Sequence, residues 1–197
     1  MTTDTLTHHE HHAGSIAVFG FWVFLLSDFI LFATLFTSYV VLRNHTFGSI
    51  DVRQTAGLSY VLVESLILLT ACLTYGFVSS CAKKGQSTGG VLFWLLVTFL
   101  LGLAFIGMQV HLLGHIMAAG YSWHNSAFLS IFFLLIAMHG LHLIIGLLWC
   151  VVLFLQLMHQ GLTPVMKTRL ICLGYFWVFL NIIWVFIFTV VFLMGAI

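Results

Sequence analysis

Two carboxyl groups stand inside long apolar runs, Asp28 and Glu64. A charge at membrane depth costs about 2.5–3.5 kcal/mol on insertion scales, so each acid must face protein or water rather than lipid tails. Two readings fit. Each could serve a proton path or meet a lipid headgroup, or each could be a neutral carboxyl satisfied by a neighbouring helix. Asp28 lies about 15 Å along the first run from its cytoplasmic end, and Glu64 about 9 Å along the second from the opposite end, at 1.5 Å per residue. The depths differ, so the two acids do not form a tight pair without favourable tilts. Histidine is the other chemistry-bearing residue. His139 and His142 are three apart in the fourth run, with Gly146 four further on, and these positions share one helical face. Gly140 and Gly146 would admit a close neighbouring helix. His111 and His115 are four apart near the end of the third run. Histidines on two helices could hold a b-type haem between paired imidazoles. That requires matching depth, whereas His111 and His115 sit near an outer end and His139 near the middle. The spacing therefore favours imidazoles that hydrogen-bond between helices.

Other residues point to chemistry more weakly. His8, His9, His11 and His12 crowd the N-terminal segment and could bind a metal ion loosely. No cysteine accompanies them, and a solvated, disordered segment is the plainer reading. Cys72, Cys81, Cys150 and Cys172 lie in or at the ends of apolar runs without CxxC spacing, and read as small buried hydrophobes. Trp177, Asn181, Trp184 and Phe188 follow helical spacing and form a packing stripe, with Asn181 placed to hydrogen-bond between helices. There is no HExxH or Walker loop, and no GxGxxG opening a helix after a strand. No set of residues supplies nucleophile, base and oxyanion donor together.

The elements that must position these residues are set by composition. Hydrophobic residues make up 62% of the 197-residue chain and charged residues 6%. An ordinary soluble domain carries about 25% charged residues. The net charge is +1 with scattered cations, so neither a nucleic-acid surface nor an acidic tail is present. Residues 1–17 form a polar, His-rich tail without the basic start and cleavage site of a secretory signal. Residues 18–197 form a transmembrane domain with apolar runs at 18–42, 58–82, 91–117, 126–158 and 170–194, each near or above the ~20 residues that span a bilayer. The runs are continuous rather than alternating, which predicts an all-α bundle of five helices instead of a barrel. With the N-terminus cytoplasmic, the cytoplasmic loops hold Lys83, Lys84, Lys167 and Arg169, against Arg43 and Arg53 outside. The positive-inside rule thus places the C-terminus in the periplasm. The expectation from the residues alone is a small helical membrane subunit that works inside a complex.

The strings GFWVFLLSDFILFATLF (20–36), FIGMQ (105–109), MHGLHLIIGLLW (138–149) and YFWVFLNIIWVFIFTVVFLMG (175–195) resemble subunit III of the haem–copper terminal oxidases. The length, five helices and His-rich start are similar to the short form found in bacterial bo-type ubiquinol oxidases. The resemblance spans the chain from Phe19 on. It implies a non-catalytic subunit in the inner membrane that braces subunit I, holds phospholipid and stands beside subunits I, II and IV. It implies that haem and copper lie in subunit I, with no metal held by this chain. Asp28 falls where the family has a buried acid near a lipid-binding cleft, associated with proton uptake by subunit I. Glu64 matches an acid of the quinol-oxidase branch. Gln109, His139, Gly140, His142 and Gly146 match positions that pack helices. The alternatives that the resemblance leaves are subunit III of a cytochrome c oxidase or a nitric-oxide-reductase accessory protein, and the residues alone leave a b-haem anchor of a dehydrogenase.

The chain departs from the family pattern at its end. Where the family reads FWHFxD, Val178 replaces the His and Asn181 the Asp. Leu112 and Leu113 occupy a stretch where a Glu, and often a Tyr, is usual. No headgroup or proton role is carried over to this last helix.

Overall fold

The computed structural model describes residues 2–43, 57–83, 88–120, 124 and 127–193, with side chains from Ile16 onward except at 43 and 58. Helix α1 runs Thr2–Arg43, α2 Leu58–Lys83, α3 Thr88–Ala118, α4 Ala127–Gln160 and α5 Pro164–Ile187, and a π-helical segment, Phe188–Leu193, continues α5. All five helices are long and apolar enough to cross a membrane, and no strand occurs among the described residues. In hydrocarbon only structures that satisfy their own backbone are viable, and the helix does so within one segment.

Two element boundaries differ from the sequence reading. Helical backbone extends back to Thr2 instead of starting at Val18. The polar segment contains no proline, so nothing interrupts propagation from the apolar run. Its side chains, including His8, His9, His11 and His12, lie outside the described residues. The last helix begins at Pro164 rather than residue 170, leaving only 161–163 as connection. Gly161 ends α4 at φ +67°, a conformation that glycine adopts without steric cost. Thr163 then caps α5, its Oγ1 accepting from the Met166 amide at 3.3 Å, and Pro164 takes the first helical position. Lys167 and Arg169 sit on the exposed first turns of the helix, not in a loop. Arg169 Nη1 donates to Gln156 Oε1 at 2.7 Å, pinning the α4–α5 turn.

Helix α5 is the hub. It packs against α1, α2 and α4, while α2 and α3 pair, α3 meets α4, and α1 rests on α4 and α5. Half of the apolar window of α5 is buried inside the protein, against 17% for α1, so α1 is the peripheral helix. Two tryptophans explain the centrality of α5. Trp184 lies edge-on to Phe105 of α3 at 4.8 Å between ring centroids, tilts against His139 of α4 at 5.1 Å, and donates from Nε1 to Ser65 Oγ of α2 at 2.9 Å. Trp177, two turns away, stacks on Tyr75 of α2 at 6.3 Å. It reaches α3 and α4 at two glycines: a Cβ on Gly102 would lie 3.2 Å from Trp177 Cη2, and one on Gly146 would lie 3.6 Å from Trp177 Cζ3.

Hydroxyl groups add ties between helices. Tyr60 Oη donates to the Met108 carbonyl at 2.9 Å, and Tyr75 Oη to the Leu170 carbonyl at 2.6 Å. Thr74 and Thr98 hydroxyls meet at 2.8 Å between α2 and α3. Gly102→Val is expected to destabilise the bundle by about 1–3 kcal/mol, because a Cβ there already meets Leu147 Cδ2 at 2.8 Å. Gly107→Val, with nothing within 4 Å of its Cβ position, is expected to leave it unchanged. Thermal unfolding of the two purified variants, followed by circular dichroism, checks the contrast.

Candidate functional site

The two acids occupy different surroundings. Asp28 is 8% exposed on the inner face of α1. Its Oδ2 lies 3.6 Å from His142 Nε2 on α4, longer than a good hydrogen bond. His142 Nδ1 is 2.8 Å from the Met138 carbonyl, which can only accept, so Nδ1 carries a hydrogen. That leaves Nε2 as the ring nitrogen facing the Asp28 carboxyl. The His142 ring also lies 5.3 Å from Phe32. Phe32 in turn lines an apolar groove of ≈ 450 Å³ between α1 and the end of α5, walled by Phe29, Phe36, Val40, Phe186 and Val190 among others. The Asp28–His142 contact therefore lies behind the wall of this groove, separated from it by one phenyl ring.

Glu64 is 0% exposed on α2, and neither carboxyl oxygen has a hydrogen-bond partner. Asp28 and Glu64 are not brought into hydrogen-bonding or ion-pair contact. This agrees with the depth argument from sequence.

The four histidines divide in a way the spacing did not reveal. His139 is fully buried, with Nε2 at 3.2 Å from the Leu180 carbonyl of α5, so it does tie two helices. His142 turns instead toward α1, so the two imidazoles of the HGLH segment serve different neighbours. His111 and His115 are exposed toward the C-terminal end of α3, and neither makes an interhelical hydrogen bond among the described residues. The His111 ring lies 6.0 Å from that of Tyr60 on α2, an aromatic contact rather than a hydrogen bond.

Asn181 departs from the expected pattern, whereas Gln109 lies against a neighbouring helix. Asn181 is buried, but its Nδ2 donates to the Trp177 carbonyl one turn back on the same helix at 3.0 Å, and its Oδ1 has no partner. Gln109 packs its Oε1 onto Gly140, where a Cβ would lie 3.0 Å away, and its Nε2 is unpartnered. Gly146 accommodates the Phe176 ring, 3.0 Å from its Cβ position. Of the positions that depart from the family pattern, Leu112 is buried and Val178 is exposed, so the valine suits a lipid-facing surface. Residues that the sequence reading passed over include Ser65, Tyr60, Tyr75 and Gly102. A hydroxyl or a glycine inside an apolar run is the signal that marks each of them.

Comparison with known proteins places this geometry. The model of the cytochrome c oxidase subunit III family matches residues 2–196. The chain belongs to this family. The cytochrome bo(3) ubiquinol oxidase subunit 3 of Pseudomonas aeruginosa is 50% identical over 188 residues, covering 95% of this chain and 90% of that protein. The quinol oxidase subunit 3 of Bacillus subtilis is 35% identical over 187 residues, covering 95% of this chain and 91% of that protein. The cytochrome c oxidase subunit 3 of Alkalihalophilus pseudofirmus is 34% identical over 199 residues, covering 99% of this chain and 96% of that protein. Subunit III membership thus accounts for the five spanning helices.

Glu64 supplies a test of the site's chemistry. A buried polar group without a partner costs about 1–3 kcal/mol, and an apolar replacement of similar shape removes that cost. Glu64→Met is therefore expected to raise the thermal midpoint of the purified protein. A lower midpoint would mean that the carboxyl is paired in the assembled protein.

Proposed function

We propose that this chain is the non-catalytic subunit III of a bacterial proton-translocating ubiquinol oxidase, an inner-membrane complex that oxidises ubiquinol and reduces oxygen to water. The observation that carries this reading is the 50% identity, across nearly the full length of both chains, to a protein named as a ubiquinol oxidase subunit 3. A relative named for cytochrome c stands lower, at 34%. Glu64, which resembles the acid of the quinol branch, supports the same choice. Haem and copper are assigned to subunit I, and subunits I, II and IV are the expected neighbours.

Within that complex the chain's task is mechanical and solvating. A bundle pinned by Trp177 and Trp184 offers a rigid lateral brace. The apolar groove beside α1 has the shape and lining for a phospholipid acyl chain. Asp28, Glu64 and the polar packing residues Gln109, His139, His142 and Asn181 support this reading at different levels. Asp28 and His142, 3.6 Å apart close to the groove wall, are the pair proposed to support proton uptake by subunit I. Glu64, Gln109, His139 and Asn181 are proposed as packing and solvation groups. The N-terminus is assigned to the cytoplasm, because Lys83, Lys84, Lys167 and Arg169 then all lie on the cytoplasmic side.

Two strains test the proposal. Removing the chain is expected to leave an oxidase that starts turnover but loses activity progressively. Asp28→Asn, which keeps shape but removes the ionisable group, is expected to reproduce part of that loss or to lower the protons moved per electron. Oxygen consumption and proton release, followed over successive turnovers, check both. Unchanged turnover stability and stoichiometry in Asp28→Asn would reduce Asp28 to a structural residue.

A further inference from the structure

The C-terminal end of α3 carries two exposed histidines. His111 and His115 are exposed, and no hydrogen bond engages their ring nitrogens among the described residues. Residues four apart on a helix stand about 5–6 Å apart at Cβ on one face, close enough for both imidazoles to reach one ion. The backbone beneath them is regular helix through to Ala118. The His111 ring lies beside that of Tyr60, 6.0 Å between centroids, and Tyr60 is itself fixed by its bond to the Met108 carbonyl. One wall of the pair is thus held in place.

Depth places the pair within reach of water. With α3 ending at Ala118, His115 lies about 4–5 Å and His111 about 10–11 Å from the helix end, at 1.5 Å per residue. The 31 residues of α3 are longer than the ~30 Å hydrocarbon core, so its last turns project into the headgroup layer.

We propose that His111 and His115 form a divalent transition-metal site, with zinc or copper as the ion. Neutral imidazole suits these metals, whereas magnesium and calcium prefer oxygen ligands. No group of three or more His, Cys, Asp or Glu residues that could hold a metal occurs among the described residues. The two imidazoles are the proposed ligands, with water completing the coordination. The site is surface-borne.

The test uses the full-length chain in detergent, with whatever subunits accompany it, and with alanine at His8, His9, His11 and His12 so that the tail cannot compete. The sample is equilibrated with Zn²⁺ in the presence of excess Mg²⁺, and bound zinc is measured across a concentration series. The proposal expects one zinc per chain to be lost, or its binding weakened at least about ten-fold, in His111→Ala and equally in His115→Ala. His159→Ala, which removes an exposed imidazole at the other end of the bundle, is expected to bind as the parent does. Equal zinc binding by the parent and both variants would overturn the proposal, as would a loss confined to one of the two. Both side chains are exposed, so unchanged helicity is expected and confirms that any loss is local.

Discussion

The bundle depends on two indole rings seven residues apart on α5. Trp177 and Trp184 each touch α2, α3 and α4, so four of the five helices meet around one stripe. In lipid there is no hydrophobic drive bringing helices together, and association rests on close packing and interhelical hydrogen bonds. Large rigid rings set against glycines and neighbouring aromatics provide the first, and the Trp184–Ser65 bond provides part of the second. The remaining helix, α1, is held through the aromatic contacts of Phe21 and Phe32 and the Asp28–His142 approach. This uneven anchoring leaves room for the groove between α1 and the end of α5.

The polar groups inside the bundle fall into two sets. Tyr60, Tyr75 and His139 donate to backbone carbonyls of a neighbouring helix. They strengthen the scaffold without presenting chemistry. Asp28, Glu64, Gln109, Trp177 and Asn181, and the second ring nitrogen of His139, keep polar atoms without a hydrogen-bond partner. Only Asp28 combines an approach by a titratable neighbour with a place next to the groove, which is why it, rather than Glu64, is assigned the proton-linked role.

Five spanning helices were legible because continuous apolar runs over 20 residues admit few other folds. The Trp177–Trp184 stripe was legible as well, since aromatic residues at helical spacing mark a packed face. The start of the last helix was misjudged because Lys167 and Arg169 suggested a loop, although Thr163 and Pro164 already carried the cap signal. The histidines resisted reading for a different reason. Spacing fixes which residues share a face, but not which helix stands opposite that face. His139 and His142 therefore split between α5 and α1, while His111 lies beside the Tyr60 ring of α2 and His115 is exposed. Asn181 was expected to bridge helices, yet the carbonyl one turn back on its own helix lies closer to its amide.

The most direct measurement is a mild-detergent purification on a tagged form of this chain, with mass spectrometry and an absorption spectrum of what accompanies it. The account predicts a large partner subunit bearing haem and copper, with ubiquinol oxidase activity in the purified material. A chain that emerges alone, or one that carries haem of its own, would contradict it.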